Sequence, residues 1–228
     1  ETTDFYTGEP VSIPLDSTIS AIENGKKYFS KYAKLKRTAK ALESIIVKTR
    51  AQIDHLESIM LAIDMAKDEA DIADLRKELS DSGFIRKTDT SKKGLKKPDA
   101  HKSKPLHYIS SDGFHIYVGK NNIQNDYITF SLASSDDWWF HAKDRPGSHV
   151  IVRSQGRTLP DRTFEEAASL AAHYSKSDGE SKAEVQYTLR KNLRKPADSR
   201  PGFVIFSSYY SMAAPADIKS IRLLESDV

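Results

Sequence analysis

Between positions 138 and 153 the chain reads Trp-Trp-Phe-His-Ala-Lys-Asp-Arg-Pro-Gly-Ser-His-Val-Ile-Val-Arg, which gathers both tryptophans with His141, His149, Lys143, Arg145 and Arg153 around a Pro-Gly turn. Polar groups packed this closely need partners once water is excluded, so the stretch points to a site. Catalytic chemistry fits it poorly. Ser148 and His149 are adjacent, so on a strand their side chains leave on opposite faces and cannot share the hydrogen bond of a nucleophile and its base. His141 and His149 can face one pocket, but no acidic third ligand stands at a matching spacing, and no metal is expected. His141 with Asp144 reads as a structural hydrogen bond before it reads as an acid/base pair. There is no glycine-rich phosphate loop opening a helix. The expectation is a protein that is not an enzyme and carries no cofactor.

Binding fits better. Trp138, Trp139 and Phe140 are consecutive, and strand alternation sends some inward and leaves at least one outward. Trp139 is assigned to the core, leaving Trp138 or Phe140 as a stacking surface. Lys143, Arg145, Arg153 and the cluster Arg190, Lys191, Arg194 and Lys195 are expected to form a basic rim, the cluster held on a rigid excursion by Pro196 and Pro201. Aromatic stacking combined with Arg and Lys contacts to phosphate is how looped or single-stranded RNA is commonly held.

The elements around this stretch read as a compact α+β domain from residue 106 to 228. Strands are expected at 107–110, 114–119, 127–133, 139–142, 148–153, 183–189, 203–208 and 220–224. Asp112-Gly113 signals a hairpin of the type I′ kind between the first two. Thr163 is expected to cap a helix running through Ser175, with Phe164, Ala167, Ala168, Leu170, Ala171 and Tyr174 on one face.

Upstream, residues 1–17 read as the end of a small β segment, with one strand across 5–13, and residues 18–84 as a helical arm. Ser20 and Glu23 have capping-box spacing. Apolar positions then fall at Tyr28, Tyr32, Leu35, Ala39, Leu42, Ile46, Thr49, Ile53, Leu56, Met60 and Ile63, an alternation of four and three in which Thr49 is the polar member. That is a coiled-coil seam. A helix of about 45–50 residues would reach about 70 Å at 1.5 Å per residue, so its seam must meet another helix. Ile72, Leu75 and Leu79 suggest a shorter helix folding back over 69–79, too short to cover the whole seam. The main partner is expected to be an upstream helix of a longer protein or a second copy of the chain. The opening Glu1, in place of Met, agrees with a piece of something longer.

Charge is segregated behind a net of +3. Residues 24–42 carry seven bases (Lys26, Lys27, Lys31, Lys34, Lys36, Arg37 and Lys40) and no acid, residues 54–81 nine acids against three bases, residues 86–104 eight bases and two acids, and residues 190–200 five bases and one acid. Basic blocks suit a polyanion. Residues 85–105 read as a basic flexible linker, since 86–104 have almost no bulky apolar side chains. The apolar fraction of 38% is lean, no stretch approaches the roughly 20 apolar residues of a membrane span, and no cysteine is present.

Taken together, Ile13-Pro-Leu-Asp16, the run from Lys27 to Lys36, Ser111-Asp-Gly-Phe-His-Ile-Tyr-Val-Gly119, Asn121 through Asn125-Asp126, Trp139-Phe-His-Ala142 through Pro146-Gly-Ser-His149, Ala171-Ala-His-Tyr-Ser-Lys176, Tyr187-Thr-Leu-Arg-Lys191 through Lys195-Pro196, and Arg200-Pro-Gly202 resemble the C-terminal half of the NFACT family. This family is RqcH/NEMF-like and is also called the fibronectin-binding protein A family. The resemblance implies a coiled-coil arm followed by an NFACT-R domain, with further domains and the first coiled-coil arm upstream. It implies a role in ribosome-associated quality control, in which the large ribosomal subunit and tRNA are bound and alanine is added to stalled chains without a template. The arm would touch the subunit. By that resemblance His141, Lys143, Asp144, Arg145, Gly147, Ser148 and His149 belong to an RNA-binding signature. A cytoplasmic setting follows, without membrane insertion. The alternative is a surface adhesin for fibronectin or another host matrix protein, displayed by an unconventional route. Gln186 stands where the family usually has an acid, and 209–215 lacks the usual Thr-containing strand.

Overall fold

The computed structural model describes residues 1–86, 103–176 and 181–224, so the linker reading falls, for 87–102, outside the described residues. The chain divides into two compact units, Glu1–Gln52 and Ile53–Val228.

In the first unit, β1 (Thr2–Thr3) and β2 (Pro10–Val11) form a small antiparallel hairpin in place of one strand across 5–13. The cause is local: the Asp4 carboxylate accepts from the amides of Tyr6 and Thr7 at 2.7 and 3.0 Å, which bends the chain where the aromatic residues suggested extension. Helix α1 (Ala21–Met65) starts at the expected capping box, with Ser20 N donating to the Glu23 carboxylate at 2.9 Å and Glu23 N donating to Ser20 Oγ at 3.2 Å. Along the first unit's part of α1, Tyr28, Tyr32, Leu35, Leu42 and Ile46 are all exposed.

The second unit begins with the last turns of α1. Helix α2 (Glu69–Asp81) folds back as Ile72, Leu75 and Leu79 suggested, capped by Asp68, whose carboxylate accepts from Asp71 N at 2.8 Å. The helix pair closes through Ile59, Ala62 and Leu75, with Leu79 against them, while Ile53, Leu56, Met60 and Ile63 stay exposed. Thus α2 covers the face beside the expected seam and leaves the seam open.

A seven-stranded antiparallel sheet follows, built from β3 (Leu106–Ile109), β4 (His115–Val118), β5 (Trp138–Ala142), β6 (Val150–Val152), β7 (Lys182–Leu189), β10 (Tyr210–Pro215) and β11 (Arg222–Leu224), in the order β10-β7-β5-β6-β4-β3-β11. Side chains alternate between its faces. One face packs Ile116, Val118, Phe140, Val150, Val152 and Val185 under α4 (Asp161–His173), a helix whose alanines at 167, 168, 171 and 172 allow close approach. The other face presents Trp139 and Ile151 to Ile128, Leu193, Phe130 and Phe206. It is covered by α3 (Asn122–Tyr127), a π-helical turn (Ile128–Leu132) and a two-stranded ribbon of β8 (Leu193–Arg194) and β9 (Ile205–Phe206).

Four expectations are corrected. Where a strand was expected at 127–133, residues 127–132 are helical, because Asn121 caps α3 by accepting from Gln124 N at 2.8 Å, and this start signal outweighs the apolar alternation. The β3–β4 connection is not type I′: Gly113 has φ 81, but Asp112 is not among the positive-φ residues, and Ser110 N donates to Phe114 O at 2.9 Å across a wider loop. Thr163 lies inside α4 and donates to the Asp112 carboxylate at 2.8 Å, so it ties the helix to that loop instead of capping it. Residues 210–215 do form a strand, held at the sheet edge by a six-residue register from Tyr210↔Tyr187 to Pro215↔Lys182.

Candidate nucleic-acid interface

The segment between β5 and β6 is shaped by its neighbours. Asp144 takes φ 53 to turn the chain. Ser148 N then donates to Tyr174 O, and Lys176 N to Pro146 O, both at 2.9 Å, which stitches the segment to the end of α4. A Cβ on Gly147 would lie 3.0 Å from that of Ser175, so a residue without a side chain fits this crossing.

On the face away from α4, Trp139, His141 and His149 form one aromatic group. The Trp139 and His141 rings stack at 5.7 Å and 11°, and His149 stands edge-on to both, at 5.2 Å from Trp139 and 5.4 Å from His141. His149 Nδ1 bonds Thr129 Oγ1 at 2.8 Å, and its amide donates to Asn125 Oδ1 at 2.9 Å. Asn125 comes this close because Gly119 faces it; a Cβ there would sit 2.2 Å from Asn125 Oδ1.

A cleft of about 550 Å³ opens beside this group. It is lined by His141, Asn122, Asn125, Arg145, Arg200 and the Pro201–Val204 loop, with Asp54, His55 and Ser58 from α1. Burial pushes His141 down to about 4, against backbone hydrogen bonds with Gly147 and Ala142 that favour the protonated ring. Burial first, and then the neighbouring His141, hold His149 well below the ordinary range. Both imidazoles are therefore neutral at physiological pH, and the formal charges in the lining are the guanidinium groups of Arg145 and Arg200 and the carboxylates of Asp54 and Asp144.

The cleft is braced from the helix pair. Glu78, buried, meets His55 Nε2 at 2.7 Å and accepts from Asn122 Nδ2 at 2.7 Å, while Asn122 also donates to Ser58 Oγ at 2.8 Å. Beside it Lys120 pairs with the buried Asp71 at 2.5 Å. Burial would raise the Asp71 carboxyl, but Lys120, the Lys67 amide and Ser103 hold it below its ordinary value.

The expected site residues do not all converge. His141, Asp144, Arg145 and Gly147 line the cleft, with His149 packed against His141 beneath it and Ser148 buried in the same segment. Trp138 packs on the opposite face, with α4. Much of the basic rim has acidic neighbours: Lys143 pairs with Glu184 at 3.0 Å, Arg153 with Asp137 at 2.8 Å, Lys191 with Asp136 at 3.9 Å, and Lys195 with Asp126. Arg190 donates to Thr129 O at 3.1 Å and lies 5.3 Å from the Phe130 ring, while Arg194 is exposed on β8. Lys26, Lys27, Lys31, Lys34, Lys36, Arg37 and Lys40 are exposed on α1 in the first unit. Asn122, Asn125, Arg200 and the α1 residues at the cleft were not among the expected site residues. Their partial signal lay in the quoted motifs from Asn121 to Asp126 and Arg200 to Gly202.

Residues 1–98 match the family model for the NFACT N-terminal and middle domains, and residues 104–207 that for the NFACT protein RNA binding domain. The solved C-terminal part of the fibronectin/fibrinogen-binding protein from Streptococcus suis is similar in structure, with TM-score 0.72, 34% identity, and coverage of 90% of this chain and 81% of that one. The chain belongs to the NFACT family. Among further NFACT relatives, the Rqc2 homolog RqcH of Streptococcus pneumoniae strain D39 is 38% identical over 224 residues and that of Bacillus subtilis strain 168 is 35% identical over 228, matching 97% and 99% of this chain. The chain spans 39% of the length of these relatives. The cleft lies within the span matched to the RNA-binding domain, except for its α1 residues. Among the described residues, no helix is long and apolar enough to cross a membrane.

Proposed function

We propose that this chain is the C-terminal part of a ribosome-associated quality-control factor and that its NFACT-R domain, residues 106–228, holds RNA in the cleft between Arg145 and Arg200. The observation that carries the reading is the chemistry of that cleft. The neutral His141 imidazole, stacked on Trp139 and backed by the edge-on His149, opens on the cleft, and Arg145 and Arg200 flank it for phosphate beside the Asp54 and Asp144 carboxylates. The domain binds and does not catalyse. In the parent protein the partners are the large ribosomal subunit and tRNA, and the outcome is template-free alanine tailing of stalled chains in the cytoplasm. The basic residues from Lys26 to Lys40 contact the subunit on a coiled-coil arm completed by an upstream helix or a second copy. The exposed seam supports that pairing.

The test is binding of fluorescent single-stranded RNA and of tRNA across a salt series, beside co-sedimentation of the intact parent protein with large subunits. Replacing Arg145 and Arg200 by Ala should reduce the slope of log K against log salt by about 1.4, from roughly 0.7 per single-strand phosphate contact. An unchanged slope and affinity refutes the cleft as the RNA site. A second reading, binding of fibronectin or another host matrix protein, takes its motive from the name of the Streptococcus suis relative. It requires fibronectin binding that survives nuclease treatment and is indifferent to the Arg145 and Arg200 substitutions.

A further inference from the structure

The opposite face of the sheet carries a second site of different chemistry. At the β10 edge, Trp138 of β5, Tyr187 of β7, Tyr210 and Met212 of β10, and Phe164 of α4 line a cleft of about 350 Å³ together with Asp161 and Glu165. Its walls are ring faces and edges. Trp138 meets Phe164 edge-on at 4.8 Å and lies 5.9 Å from Tyr187 and 6.4 Å from Tyr210; Tyr187 and Tyr210 stack at 5.5 Å and 28°. Tyr210 is 61% exposed, so the outer wall is open to a ligand.

The charge is one-sided. The two side chains with formal charge in the lining are carboxylates, and among the described residues lining the cleft there is no Lys or Arg. Arg162, next to Asp161 in sequence, pairs with Glu166 at 3.5 Å and, with Lys182, lines the adjoining depression beyond Glu165 and Met212. Tyr187 is held above its ordinary value by burial, then by Tyr210 and Asp161, in keeping with an environment that disfavours further negative charge. Ring faces are the negative ends of aromatic quadrupoles, so four aromatic residues and two carboxylates together select a cation. With no arginine among the described lining residues, they disfavour a phosphate-bearing strand, unlike the cleft on the other face, where Arg145 and Arg200 stand beside Asp54 and Asp144.

We infer that this aromatic, acid-lined cleft binds an arginine side chain presented by a basic protein segment. Arginine suits it better than lysine, because a planar guanidinium stacks on Tyr and Trp while its edge donates to a carboxylate. The volume takes one side chain, and recognition of one residue is a contact within a larger protein interface.

The two tryptophans give a direct readout on the 228-residue chain. In proton–nitrogen NMR spectra the indole N–H signals are assigned by Trp138→Phe, and N-acetyl-arginine amide is titrated beside the uncharged isostere N-acetyl-citrulline amide. The arginine compound should shift the Trp138 signal saturably and leave that of Trp139 in place; the citrulline compound should do neither. Asp161→Asn combined with Glu165→Gln, judged folded by an unmoved Trp139 signal, should weaken binding about tenfold. If that variant does not fold, Tyr210→Leu at the exposed wall replaces it, with weaker arginine binding expected. Equal shifts from both compounds, undiminished arginine binding by the variant used, or a larger Trp138 shift from oligouridylate than from arginine overturns the inference. The last outcome would make this face an RNA surface instead.

Discussion

Acid should loosen the second unit through His141 before its carboxylates are protonated. The imidazole is held at about 4 in the folded chain against an ordinary 6.5, so the unfolded chain binds the proton more tightly. Its contribution to stability is complete above pH 6.5 and is lost as pH falls from there toward 4. At 1.36 kcal/mol per tenfold change in proton affinity, the difference corresponds to about 3 kcal/mol; the ring keeps an edge on the cleft, so about 2–3 kcal/mol is expected. His149 is shifted in the same direction and adds to the trend. Asp71, held below its ordinary 3.8, acts mainly at more acid pH, which leaves the window from 6.5 to 5 to the histidines. Both tryptophans belong to this unit, so urea unfolding followed by their fluorescence at pH 7.5, 6.5, 5.5 and 4.5 reports it selectively. His141→Gln should remove about 2–3 kcal/mol of the pH dependence. If wild type and variant lose stability in parallel across that range, the imidazole is not desolvated as the packing around Trp139 requires.

Two further substitutions test the brace beneath the cleft. Glu78→Ala strips the acceptor from His55 and Asn122 in a buried setting and should destabilise this unit by about 3–5 kcal/mol, read as a shift of its urea midpoint; a loss under about 1 kcal/mol would mean that the cluster is incidental. Gly119→Ala drives a methyl group toward Asn125 and should cost about 1–3 kcal/mol while weakening RNA binding, because Asn125 holds the His149 amide; an unchanged thermal midpoint with full RNA affinity contradicts that account.

The sequence was most legible where one local rule acted alone. The α1 start followed from Ser20 and Glu23, the strands on either side of Pro146-Gly147 from alternation, and the inward assignment of Trp139 from the same period. It misled where a polar side chain redirected the backbone, as Asp4 does at residues 5–7 and Asn121 does ahead of Ile128. Strand alternation also sends Trp138 and His141 to opposite faces, since three is an odd separation, yet both were counted in one RNA surface. Charge counts could not reveal that Lys143, Lys191 and Lys195 face Glu184, Asp136 and Asp126, because those partners are distant in the chain or belong to a segment read as a strand. Nor could they find Arg200, which reaches the cleft only because the ribbon of β8 and β9 carries the intervening loop back across the sheet.

Within the second unit, one helix serves two neighbours with two faces. His55, Ile59 and Ala62 turn inward, whereas Leu56, Met60 and Ile63 each stand one residue further on, about 100° around the axis, and remain exposed. A partner laid along that second face would therefore not compete with α2. It would bear on the same backbone that places His55 against Glu78, and Glu78 holds Asn122 at the wall of the cleft. Both links are polar contacts at 2.7 Å on the buried Glu78 carboxylate, the one to His55 buried and the one to Asn122 partly so, and breaking either would leave that carboxylate short of a partner away from water. The proposed coiled-coil pairing and the proposed RNA site are thus joined through side chains that cannot shift independently, so occupation of the seam is expected to bear on RNA affinity, not only on delivery of the domain to the ribosome.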